Sequence, residues 1–175
     1  LVCADDYDLS HYPLVRLVNN GLDYSKGMVF EIVDYIRQKL APCSIDELET
    51  RFVQELGYSE QTVQGVTTMN SVLRFGRGSL VHIDTLQWTD EKRSHLEFHA
   101  CNALTEANTA GRCYALVTDL MEYYQLPILG NGIAWTQTLL AELLMRGQRF
   151  RILGSARNAF VGVPNDYAIE TLEDL

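Results

Sequence analysis

The stretch Leu73-Arg74-Phe75-Gly76-Arg77-Gly78-Ser79-Leu80-Val81-His82-Ile83 decides how the chain folds. Leu73 and Phe75 alternate onto one face of a strand. Gly76, Arg77 and Gly78 supply a turn that tolerates positive φ. Leu80, Val81 and Ile83 return as a second strand, so the spacing predicts a short basic hairpin.

Working outward, the residues before the hairpin read as helices. Val29, Ile32, Val33, Ile36 and Leu40 share one face of a helix over about Lys26 to Leu40. Ala41-Pro42 ends it, because proline disfavours helix in the residue before it. Ser44 with Glu47 forms a capping box for a second helix to about Leu56, with Leu48, Phe52 and Leu56 inward. Ser59 caps a third, to about Asn70, with Val63, Val66 and Met69 inward.

The same order is expected again after the hairpin. Thr89 is an N-cap, and Asp90 and Glu91 suit a helix N-terminus. Leu96, Cys101 and Leu104 mark a first helix, and Thr109-Ala110-Gly111 breaks it. Cys113, Leu116, Leu120 and Tyr124 mark a second helix, and about Ala134 to Arg146 a third. Phe150 to Leu153 and Ala159 to Val163 then make a closing hairpin.

Three segments echo one another at intervals of about eighty residues: Leu1 to Asp5, Leu80 to Asp84 and Phe160 to Pro164. The expected division is a preceding repeat's last strand and a linker helix over 1–25, including Leu14 to Val18. Unit one follows over 26–87 and unit two over 88–165, with the start of a further segment over 166–175. The chain is accordingly expected to be a piece of a longer protein. The fold class is mainly α with small β-hairpins, α+β, in two tandem units of three helices and a hairpin.

The net charge of −9 argues against a protein that coats nucleic acid without regard to sequence, since phosphate binding needs local Lys and Arg. It leaves room for a locally basic hairpin. No apolar run approaches the roughly 20 residues of a membrane span. Cys3, Cys43, Cys101 and Cys113 lack CxxC spacing and are expected to be reduced, in a cytoplasmic, nucleoid or nuclear setting.

The helix-helix-helix-hairpin order, with its capped second helix and basic hairpin, resembles winged helix-turn-helix domains. It is also similar to the HARE-HTH group of restriction and chromatin proteins and of an acidic RNA polymerase subunit. In the winged-helix class the third helix enters the major groove and the wing touches phosphate or the minor groove. The resemblance implies DNA contacts from Gln61, Gln64, Thr68 and Asn70, with Arg74 and Arg77 on the wing. In unit two it implies Thr136, Gln137 and Arg146, with Arg149, Arg151 and Arg157 around the wing. Gln and Asn pair with adenine edges, and Arg suits guanine or phosphate. Neither third helix is rich in Lys or Arg, a departure from the usual pattern.

Catalytic signatures are lacking. His95 and His99 stand at i, i+4 as a metal-binding pair would, but no spacing supplies a third ligand. Gly76-Arg77-Gly78-Ser79 lacks the Lys-Ser/Thr of a P-loop. Asp5, Asp6 and Asp8 lack EF-hand spacing and read as a solvated linker. Trp88 and Trp135 read as packing residues at helix starts. The expectation is a non-catalytic DNA-binding fragment of a regulatory protein, without cofactor, metal, membrane or small-molecule substrate. The rival is a protein-interaction module built on acidic winged-helix surfaces.

Overall fold

The computed structural model describes residues 7–8, 16–17, 27–154, 158–163 and 171. Tyr7–Asp8 (β1) pairs antiparallel with Arg16–Leu17 (β2). A helix had been expected over Leu14 to Val18. So short an apolar cluster cannot repay helix nucleation against a strand partner. The strand expected at Leu1 to Asp5 lies outside the described residues.

In the first half, α1 (Met28–Gln38) buries Ile32, Val33 and Ile36. Leu40 departs from the expected face. It follows the C-cap at φ 53° and is 56% exposed, so it ends the helix in the left-handed region instead of joining the core. Strand β3 (Cys43–Ser44) precedes α2 (Ile45–Leu48), which continues as a π-helical stretch over Glu49–Glu55. Ser44 Oγ accepts the Glu47 N–H at 3.1 Å, as the cap requires. Ser59 does the same for Thr62 at the head of α3 (Glu60–Gly65), which tightens into a 3₁₀ turn over Val66–Thr68. Strands β4 (Val72–Gly76) and β5 (Ser79–His82) make the expected hairpin, with Gly78 at φ 67° in its turn. Ile83 was expected to extend the second strand; it opens a 3₁₀ turn over Ile83–Leu86.

The second half repeats the order. Thr89 caps α4 (Asp90–Thr109), accepting the Lys92 N–H at 3.3 Å. Strand β6 (Tyr114–Leu116) and α5 (Val117–Tyr123) follow. Cys113 and Leu116 therefore lie outside the helix in which they had been read, because β8 recruits Tyr114, Ala115 and Leu116 into a sheet. Then come α6 (Gln137–Arg146), β7 (Arg151–Leu153) and β8 (Ala159–Val161). The two sheets share one topology, β3-β5-β4 and β6-β8-β7, antiparallel throughout. The fold is α+β.

The first sheet is buried on both faces. Val72 and Leu80 join Ile32, Ile36, Phe52 and Val66 in one core. Their strand neighbours Leu73 and Val81 join Leu139, Leu140 and Leu143 of α6 in the other. Alternation along a strand sends adjacent side chains to opposite faces, so one hairpin serves two cores. Trp88 and Trp135 pack against the second core, their rings 6.0 Å apart and edge to face.

Candidate nucleic-acid interface

Unit one carries an exposed polar face. Gln61, Gln64, Thr68 and Asn70 are exposed along α3 and the turn after it, and Arg74 and Arg77 are exposed on the hairpin. Buried Val63 and Val66 hold the other side of α3 on the core, which fixes which residues face solvent. Thr67 and Thr68 donate their hydroxyls back to the carbonyls of Gln64 and Gly65, at 2.8 and 2.7 Å. Thr68 can therefore offer a ligand only an acceptor lone pair. Arg74 and Arg77 form no ion pair among the described residues. Glu60, in the first turn of α3, is the acidic neighbour at the opposite end of the face.

Unit two is arranged differently. Its third helix, α6, lies along β4, the edge strand of the first sheet. The Thr136 hydroxyl caps α6, accepting the Leu139 N–H at 3.1 Å, and donates to the Phe75 carbonyl. At the other end Arg146 donates to the carbonyls of Val72, at 2.6 Å, and Asn70. Thr136 caps the start of α6 and Arg146 is its last residue, so the two contacts stand about 15 Å apart along the helix. Thr136 and Arg146 thus fasten the two halves together. Gln137 remains exposed. Arg149 is exposed but faces Glu97 at 3.6 Å. Arg151 is half-buried on β7. Arg157 lies outside the described residues.

Several ionisable groups belong to the scaffold. The Lys39 ammonium bonds the Glu47 carboxylate, which also accepts from Tyr35 Oη at 2.8 Å. That contact holds Glu47 below the usual carboxylate range and raises Lys39. It also takes Glu47 away from the reciprocal half of its capping box. Burial, then the Glu47 charge, pushes the Cys43 thiol up to about 11. Burial lowers His82, whose Nδ1 accepts the Asp84 N–H at 3.2 Å.

His95 and His99 bring their Nε2 atoms within 2.8 Å on α4. His99 Nδ1 is buried without a hydrogen-bond partner among the described residues, and burial followed by the His95 charge lowers its pKa. Among the described residues no three His, Cys, Asp or Glu side chains are grouped to hold a metal ion. Nor, among them, is any helix long and apolar enough to cross a membrane. No family model, curated protein or solved structure matches the chain.

Sequence reasoning had missed the seam roles of Thr136 and Arg146. The one local signal was Thr136 three residues before Leu139, an N-cap spacing. It had also passed over Glu106, Asp119 and Tyr123, and had read Tyr124 only as a helix-face residue; all four line a cavity between α4 and α5.

Proposed function

We propose that the chain is a non-catalytic tandem winged-helix protein that contacts DNA through its first unit, with its second unit as a buttress. The observation that carries this reading is the exposure of Gln61, Gln64, Thr68 and Asn70 on α3 and the turn after it, together with Arg74 and Arg77, which are exposed on the hairpin and form no ion pair among the described residues. The strand-helix-helix-hairpin order after α1, with the sheet order β3-β5-β4, supports the winged-helix assignment. The neutral amides suit base edges, and the arginines suit phosphate. Because α6 packs on β4, this reading assigns the groove to α3 alone.

The test is DNA binding by fluorescence anisotropy across a salt series. Arg74→Ala with Arg77→Ala should remove two phosphate contacts and flatten log K against log salt by about 1.8. Arg149→Ala should leave the slope unchanged, because that guanidinium faces Glu97. Absence of any retention of duplex DNA at low salt would refute the reading.

A protein partner on the same face is the second reading. Residues 27–89 hold eight acidic and five basic side chains, so their surroundings repel phosphate. Failure to bind DNA with the fold intact would favour it.

A further inference from the structure

The cavity between α4 and α5 has a volume of about 190 Å³ and a chemistry distinct from the α3 face. Its floor is shallow side chains: Ala103 and Ala107 of α4, and Ala115 of β6. Its walls are Tyr123, Tyr124, Glu106 and Asp119, with Arg112 among the lining residues. Tyr123 is 70% exposed. Asp119 makes no hydrogen bond or ion pair among the described residues. Arg112 likewise has no carboxylate within ion-pairing distance among them.

Aromatic walls accept either a nucleobase or a cation. The charges here decide between them. Glu106 and Asp119 repel phosphate and attract a positive group. Burial, then the hydrogen bond to Glu106 and the charges of Glu106 and Asp119, pushes the Tyr124 phenol up to about 12. The Glu122 charge, then the hydrogen bond to Glu122, raises Tyr123, so both phenols are neutral at physiological pH. A planar guanidinium fits better than an ammonium, since it can lie on a ring and bond carboxylates through several donors at once.

We propose that this cavity receives an arginine side chain from a basic segment of a partner protein. The guanidinium stacks on the Tyr123–Tyr124 wall and bonds Glu106 and Asp119. The site lies in unit two and does not rest on the nucleic-acid reading of unit one.

The test uses the full chain, ¹⁵N-labelled, titrated with acetyl-Gly-Arg-Gly-amide and with the same peptide carrying citrulline. The arginine peptide should give saturable amide shifts at residues 103–107, 115 and 119–124, and the neutral citrulline peptide should not. Asp119→Asn should weaken binding about tenfold, the weight of one charge-assisted hydrogen bond at a half-exposed site. Tyr123→Ala, at an exposed position, should weaken it with no change in thermal melting. Arg112→Ala should tighten it by removing a like charge, whereas Glu55→Gln on unit one should change nothing. Shifts equal for the two peptides, shifts unaffected by Asp119→Asn and Tyr123→Ala, or tighter occupancy by an oligothymidine would overturn the proposal. These results are separable from the DNA titration, which reads Arg74 and Arg77.

Discussion

Replacing Arg146 with alanine should loosen the seam between the two halves. Its guanidinium donates to the Val72 carbonyl at 2.6 Å and to the Asn70 carbonyl. A hydrogen bond from a charged donor contributes about 1.5–3 kcal/mol. The side chain is 29% exposed, so water takes over part of each contact after truncation. Two bonds at the low end of the range, discounted further for that exposure, give about 2–3 kcal/mol for the pair. The Glu142 contact at 3.4 Å, an i, i+4 pair, adds only about 0.3–0.5 kcal/mol. Arg146→Lys should recover roughly half of the loss, because an ammonium cannot fork between two carbonyls as a guanidinium does. Urea unfolding followed by tryptophan fluorescence is the assay, as Trp88 and Trp135 both pack against the core that spans the seam. The midpoint should fall for alanine, with lysine between it and the parent. A loss below about 0.5 kcal/mol for alanine, the scale of an ordinary surface substitution, would refute the seam role. So would a lysine variant as stable as the parent.

Two further outcomes follow from the same packing. His82 is 5% exposed and its pKa is lowered, so the folded state favours the neutral ring. Stability should hold above the unfolded value near 6.5 and fall as pH drops from there toward the lower folded value. His82→Asn keeps an acceptor for the Asp84 N–H and should flatten this acid slope, by at most about 1.4 kcal/mol per pH unit in matched denaturant titrations. Gly130→Ala should destabilise, since a Cβ there would meet Gln87 Cγ at 2.6 Å and the Thr85 carbonyl at 2.8 Å. Thermal melting checks this, with Gly132→Ala as a control at a glycine that has open space but a φ of 69°.

Local chemistry was legible in the sequence. The caps at Ser44, Ser59 and Thr89 lie where their spacing placed them, because a hydroxyl three residues before an unpaired N–H needs no tertiary partner. The hairpin around Gly78 was equally plain, since few residues other than glycine adopt its backbone freely. The inward faces of α1 and α3 followed from helical period, apart from Leu40.

Strands β3 and β6 were not legible. Two or three residues carry no period, and only pairing with β5 and β8 makes them strands. The candidate interface divides along the same line. The exposure of Gln61, Gln64, Arg74 and Arg77 could be read from helical spacing and the turn. The departure of Arg146 and Thr136 from that pattern could not, since their partners are carbonyls more than sixty residues away in the chain. The adjacent apolar pairs Val72-Leu73 and Leu80-Val81 held the hint, for a half-exposed strand would have alternated with polar residues. Which element covered the second face was decided only when α6 met β4, because burial on both sides is a property of three packed layers and of no single segment.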